Sequence, residues 1–267
     1  MLSAAVIVLV LILMVAVMNA AWIYQRSAGN SGWIDVFWTF GTGAAGMLAA
    51  LAPAPGEALP AARQVVAAAI ILVWALRLGG YIARRVATSS EDARYLRFRT
   101  EWGARYQRTL YLFVMPQAVI SAVLCISIMV AARRPVESLD LRDFLGIAIL
   151  IIAIAGEALA DAQLAAFKKG GSPKGSVCDV GLWAWSRHPN YFFEWFGWLA
   201  WPVIGLELAQ PVTWMTLFAP IVMFGVLRFL TGVPPLEQTM IASRGDAYRA
   251  YQARTSIFFP LPPKHGV

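Results

Sequence analysis

The sequence predicts an all-α polytopic membrane protein of about seven transmembrane helices, with its N-terminus outside and its C-terminus in the cytoplasm. Three observations predict it. Of 267 residues, 59% are hydrophobic and only 14% charged, against about 25% charged in an ordinary soluble domain. Apolar stretches close to the roughly 20 residues needed to cross a bilayer recur along the chain. No ten-residue alternating pattern suggests a barrel. Backbone groups in lipid must be satisfied internally, so the spans are expected as helices. Residues 1–267 read as a single integral membrane domain. Within it, 1–109 carries three helices and a basic loop, and 110–267 carries four helices and a tail with most of the candidate site.

The spans are expected at about 3–24, 32–52, 64–82, 110–131, 143–167, 190–206 and 211–231. The first, MLSAAVIVLVLILMVAVMNAAWIY, lacks the basic start of a signal peptide and has too long an apolar run, so it reads as a retained helix. The second contains GTGAAG, Gly41 to Gly46. This matches a dinucleotide fingerprint, which needs a strand before it and a soluble βαβ unit around it. Inside an apolar span the glycines read instead as close helix packing. After the third span, EDARYLRFRTEWGARYQR has the character of an amphipathic segment at the membrane surface, able to offer Arg to phosphates. The fifth span carries Glu157 and Asp161. The sixth is short, with Pro202 near its end, and is expected to form a tight hairpin with the seventh around Gly205–Gln210.

Charge sets the expected orientation. Sixteen Lys and Arg fall in loops on one side of a seven-helix chain, and four (Arg63, Arg133, Arg134 and Arg142) on the other. The richer side is expected to be cytoplasmic. The net charge of +7 therefore needs no nucleic acid to explain it. Two His and two Cys, Cys125 and Cys178, show no metal-ligand spacing, so no metal is expected.

Ionisable groups inside membrane helices are functional candidates. Asp35, Arg77, Glu157, Asp161, Glu194 and Arg228 all fall in the cytoplasmic half of their spans, which suggests a polar pocket opening to the cytoplasm. Glu157 and Asp161 are four apart on one helix, with Lys168 near the same face; Asn190 and Glu194 are four apart on the next. Such acceptors suit the hydroxyls and amide of a ribose or carboxamide. His188 beside Arg187 favours contact with a bound anion. Tyr248 and Tyr251 share a helical face, followed by Thr255 and Ser256, and read as an interfacial belt or a lid.

WSRHPNYFFEW, Trp185 to Trp195, the acidic helix before it and the tail R-x-x-x-Y-x-x-Y-Q-x-x-T-S-x-F-F-P resemble the steroid 5-alpha-reductase-like membrane family, in its bacterial branch. The resemblance covers most of the chain and is strongest from about 150 to 260. It implies a reductase that holds NADPH on the cytoplasmic side and transfers a hydride to the beta carbon of a conjugated enone, such as a 3-oxo-Δ4 steroid. It places Asn190 and Glu194 at the nicotinamide end, Asp161 and Arg228 in the nucleotide site, and Lys168 near a phosphate. Glu157 stands where the animal enzymes have Asn. Arg94, Arg97 and Arg105 occupy the phosphate-reaching loop. Ser186, Arg187, His188 and Tyr191 of the motif, with Tyr248, Tyr251 and Ser256 of the tail, complete the cofactor-binding candidates.

The animal steroid reductases pair a Glu of the second helix with a Tyr of the third, and that pair is absent here. The proton-donor candidates are Asp35, if burial keeps it protonated, and Tyr81. Trp38, Trp74 and Arg77 are the candidates for the substrate pocket. RHPxY also occurs in S-adenosylmethionine-dependent isoprenylcysteine and phospholipid methyltransferases. These give the alternative reading, in which Glu237 would join the site, although their usual second Glu is here Gln238. A transporter or lipid-binding protein is a third class, for which no internal repeat speaks. The expected partners are a lipophilic small molecule and membrane lipids, with no nucleic acid. The expected state is a monomer in a bacterial inner membrane, with its active site facing the cytoplasm.

Overall fold

The computed structural model describes residues 3–53, 60–136, 138–171, 173 and 175–264. Lys174 and His265, counted above among the charged and His residues, lie outside the described residues. The fold is all-α, and among the described residues there is no β-strand. The helices are α1 (Ala4–Ala28), α2 (Trp33–Leu51), α3 (Ala62–Thr88), α4 (Ala93–Trp102), α5 (Tyr106–Val114), α6 (Pro116–Ala132), α7 (Leu141–Lys169), α8 (Leu182–Trp185), α9 (Pro189–Trp198), α10 (Ala200–Gly205), α11 (Phe218–Gly225), α12 (Val233–Arg244) and α13 (Asp246–Arg254). Pro211–Leu217 is a 3-10 turn, and Val226–Leu230 winds as a π-helix.

Among the described residues, six stretches are long and apolar enough to cross a membrane: Ala4–Ala28, Trp33–Leu51, Ala62–Thr88, Ala93–Ala132, Leu141–Lys169 and Pro211–Arg244. The stretch expected as the sixth span, 190–206, is divided at Leu199 into the short helices α9 and α10. Local signals fix several ends. Ser3 caps α1 and Asp92 caps α4, each accepting from a backbone N–H of the first turn. Pro116 and Pro189 open α6 and α9, where a missing N–H is harmless. Gly29, with φ 67°, closes α1.

The described chain forms two compact units. The first comprises 1–147 and 200–222. Its apolar core runs from Val10, Met14 and Met18 of α1 through Ile34 and Ala45 of α2 to Leu110 of α5 and Cys125 and Met129 of α6. The GTGAAG glycines pack this core, as their sequence setting predicts. A Cβ on Gly41 would lie 2.6 Å from Val17 of α1. One on Gly46 would lie 3.0 Å from both Ile71 of α3 and Ile128 of α6. One on Gly43 would collide with Ala75 of α3. Of the hairpin expected around Gly205–Gln210, this unit holds the turn, between the short α10 and the 3-10 segment Pro211–Leu217. Thr213 Oγ1 accepts from the Glu207 N–H at 2.9 Å, and Ser127 Oγ donates to the Met215 carbonyl at 2.9 Å.

The four arginines on the sparser side of the charge count are all held by acceptors in this unit. Arg63 at the start of α3 grips Asp143 of α7 with two bonds, 2.8 and 2.9 Å, and donates to the carbonyls of Arg134, Val136 and Ser138. Arg134 bonds Asp143 and Asp140, and holds the Asp140 carboxyl down to about 2. Arg133 donates to the Ala52 carbonyl, and Arg142 to those of Val203 and Leu206.

The second unit comprises 148–199 and 223–267. Gly156 of α7 lies against the ring of Phe193 of α9, so closely that a Cβ would overlap it, and Gly197 of α9 faces Ala153 at 3.2 Å from its own Cβ position. Phe192, Trp195, Phe224, Phe258 and Phe259 form a continuous aromatic cluster that joins α9 and α11 to the tail.

Overpacking a helix seam costs about 1–3 kcal/mol. Gly43→Leu is therefore expected to lower the melting temperature and the yield of monodisperse protein in detergent. Gly80→Ala, on the same helix pair but with open space around it, should leave both unchanged.

Candidate functional site

In the second unit the close α7–α9 packing at Gly156 and Gly197 brings two polar stripes together. Asn190 Nδ2 donates to Asp161 Oδ1 at 3.3 Å, so the stripes read from the sequence do face each other at this point. Asp161, Glu157 and Glu194 are all buried. Trp198, one turn further along α9, donates its Nε1–H to Glu194 Oε1 at 3.0 Å and so fixes that carboxylate. Two bonds set the angle at which the chain enters α9. The Trp183 indole donates to the Ala160 carbonyl at 2.9 Å, and Gln163 Oε1 accepts from the Leu182 N–H at 2.9 Å. The result is a seam of three carboxylates and one amide, rich in acceptors. Lys168 lies further along α7, exposed.

The RHP motif is joined to the tail through one carboxylate. Glu237 Oε1 accepts from Arg187 Nε at 2.8 Å, from Tyr248 Oη at 2.8 Å and from His188 Nε2 at 3.0 Å; its Oε2 accepts from Arg187 Nη2 at 3.1 Å and from Gln252. Arg187 Nη1 adds bonds to the carbonyls of Thr255 and Gln252, and its backbone N–H bonds the Ser256 carbonyl. Arg187, expected to meet a bound anion, thus has its guanidinium taken up by Glu237 and two carbonyls.

Ser186 Oγ donates to the Phe258 carbonyl at 2.8 Å, and an isolated bridge pairs Ser186 with Ser256. Tyr251 Oη donates to the Trp183 carbonyl. Ser186, Tyr248, Tyr251 and Ser256 are therefore fasteners of the tail. Burial holds the Tyr248 and Tyr251 phenols well above the ordinary range, so both stay protonated as donors.

His188 is different. Its ring stacks on Tyr191, centroids 5.6 Å apart and planes within 10°. Burial pulls its pKa below the usual 6.5 in spite of the Glu237 bond, so the ring is neutral. With Nε2–H donating to a carboxylate, Nδ1 carries the lone pair. That atom is buried and has no partner among the described residues. Arg228 is close enough to His188 to oppose its protonation. Its guanidinium lies 4.9 Å from the Phe229 ring and meets no carboxylate or carbonyl among the described residues. It sits in the π-helical turn Val226–Leu230, a local geometry frequent at functional sites.

In the first unit Asp35 accepts from Arg94 at 2.7 Å and from Tyr95 Oη at 3.0 Å. Asp35, expected as a proton donor, is instead the acceptor of an ion pair with Arg94. Tyr95 was missed in the sequence because its partner lies 60 residues away. Arg94 also bonds Asp92, Arg97 pairs with Glu101, and Arg99 with Glu91. Of the loop cations expected at phosphates, Arg105 is exposed and meets no acceptor among the described residues. Trp38 packs edge-on against the buried Trp74, centroids 6.3 Å apart. Arg77 lies 5.7 Å from the ring of the exposed Tyr81.

The family model described as "Protein of unknown function (DUF1295)" matches residues 21–255. The chain belongs to this family, the steroid 5-alpha-reductase-like family. An uncharacterized protein of Schizosaccharomyces pombe is 33% identical over 81 residues, which are 30% of this chain and 23% of that protein. The match thus covers about a quarter of that relative's length. No solved structure matches.

Removing one partner of a buried ion pair costs about 3–5 kcal/mol. Glu237→Ala is accordingly expected to free the tail, seen as rapid protease cleavage between 244 and 264 and a lower melting temperature, while Arg249→Ala at the surface leaves both as in the wild type.

Proposed function

We propose that this protein is an NADPH-dependent membrane reductase that saturates the C=C bond of a lipophilic conjugated enone of the 3-oxo-Δ4 steroid type. The observation that carries this reading is the buried seam in which Asn190 bonds Asp161, with the buried Glu157 and Glu194 each four residues away on α7 and α9. Buried carboxylates can accept several hydrogen bonds each, and the ribose hydroxyls and carboxamide of a nicotinamide nucleotide are donors. Arg228, free of any described carboxylate, and the exposed Lys168 suit its phosphates. His188 Nδ1 adds a buried acceptor. The residues present therefore fit the nucleotide.

When bound, NADPH supplies the hydride. The chain's own part is positioning and charge. Asp161 and Glu194 orient by accepting hydrogen bonds, and their rotamers are set in turn by Asn190 and Trp198. The enone oxygen gains negative charge as the hydride arrives and needs a donor. Asp35, engaged by Arg94 and Tyr95, is an acceptor in this arrangement. Tyr81, whose hydroxyl can donate a hydrogen bond, is the donor that this reading retains. The Lys and Arg bias supports an N-terminus outside, with the nucleotide entering from the cytoplasm of a bacterial cell and the apolar substrate from the bilayer. The chain acts as a monomer in this reading.

The methyltransferase alternative is less well supported, because Glu237, the carboxylate it would use, is filled by Arg187, His188, Tyr248 and Gln252.

The test is enone-dependent NADPH oxidation by the purified protein. Glu194→Gln and Asp161→Asn should each reduce kcat/KM at least about tenfold, a loss of roughly 1.4 kcal/mol of transition-state stabilisation, with melting temperatures near wild type. Tyr81→Phe should lower kcat at unchanged KM for NADPH. Wild-type rates in all three variants would reject the assignment.

A further inference from the structure

In the first unit one buried neutral donor stands out. Trp38 Nε1 is shielded from solvent, and no described residue accepts from it. An indole N–H can only donate. A buried donor without an acceptor costs about 1–3 kcal/mol, and buried polar groups in folded proteins are nearly always paired. The natural acceptor for this one lies outside the described residues.

Its surroundings restrict what that acceptor is. The Trp38 ring packs against the apolar core cluster contributed by α1, α2, α4, α5 and α6, and edge-on against Trp74, itself buried. One turn earlier on α2, Asp35 already accepts from Arg94 and Tyr95. The next residue, Thr39, turns its hydroxyl back to the Asp35 carbonyl at 2.8 Å. An anionic ligand would have to be desolvated against a chiefly apolar and aromatic surface, a cost that one neutral N–H does not offset. A single water needs two to four polar partners, and the ring's neighbours are chiefly hydrocarbon and aromatic. A neutral carbonyl oxygen on an apolar molecule satisfies the N–H and leaves nothing unpaired.

We propose that Trp38 is the anchoring donor of a ligand site in the first unit, and that its Nε1–H binds the carbonyl oxygen of a neutral, largely apolar ketone. The existence of the donor site stands on the orphaned N–H alone. The choice of a ketone over another neutral carbonyl rests on the reductase reading. Trp74 supplies a flat wall beside the donor, suited to a rigid ring system. The same bond makes Trp38 a specificity residue. A hydrocarbon of the same shape leaves the N–H unpaired, and a site built around a hydrogen bond rejects the analogue that lacks it.

Equilibrium binding of tritiated androst-4-en-3-one, and of its deoxo counterpart androst-4-ene, to the full chain in detergent without nucleotide tests this. The wild type should prefer the ketone by about tenfold. Trp38→Phe should erase most of that preference while binding the hydrocarbon within about twofold of wild type. If Trp38→Phe does not fold, benzothienylalanine at 38, which keeps the ring shape and replaces the N–H by sulfur, should give the same loss. Equal or absent binding of the two steroids by the wild type, or a preference retained in the variant, overturns the proposal. Thermal stabilisation by NADPH, measured on the same samples, separates the two readings. A ketone preference without NADPH stabilisation upholds the Trp38 donor and defeats the reductase reading. NADPH stabilisation with no ketone preference does the reverse.

Discussion

A charge inside an apolar protein persists only where opposite polarity surrounds it, because the interior does not replace water. Both units of this chain are organised by that constraint. In the first, Arg63 grips Asp143 and three carbonyls, tying the start of α3 to the end of α6 and the start of α7. In the second, Arg187 grips Glu237 and two carbonyls, tying the start of α9 to α12 and the end of α13. Each hub turns an expensive buried ion into a fastening between segments 50 to 80 residues apart in sequence.

Where buried charge and polarity are so thoroughly matched, the exceptions are informative. Arg228 has no described acceptor and is presented on a π-turn. Among neutral side chains, His188 Nδ1 and Trp38 Nε1 are buried with no hydrogen-bond partner among the described residues. In the proposed reading, Arg228, His188 Nδ1 and the α7–α9 seam of the second unit suit the phosphates and the donors of a nicotinamide nucleotide. Trp38 Nε1, in the first unit, is a neutral donor in apolar surroundings and suits an uncharged ligand.

Much of the fold was legible because hydropathy and helix period are local. The apolar spans, the packing role of Gly41, Gly43 and Gly46, the turn at Gly205–Gln210 and the facing of Asp161 and Asn190 all follow from spacing within about 30 residues. What was not legible were partnerships across long separations. Arg187 and His188 look like anion ligands until Glu237, 50 residues on, is seen to fill them. Asp35 looks like an isolated acid until Arg94 and Tyr95 reach it. The available signal was Glu237, an acid in the first turns of α12 just after Pro234 and Pro235. The expected span at 190–206 breaks at Leu199 because its aromatic half serves the tail cluster while its Pro202 half packs in the other unit.

The central claim is that the second unit holds a nicotinamide nucleotide. The most direct measurement is mass spectrometry of small molecules released from the detergent-purified protein, followed by thermal-shift titration with NADPH and with S-adenosylmethionine. Released NADP(H), or stabilisation by NADPH alone, is the predicted result. Stabilisation by S-adenosylmethionine with none by NADPH would contradict it and would assign the RHPNY segment to a methyl-donor site.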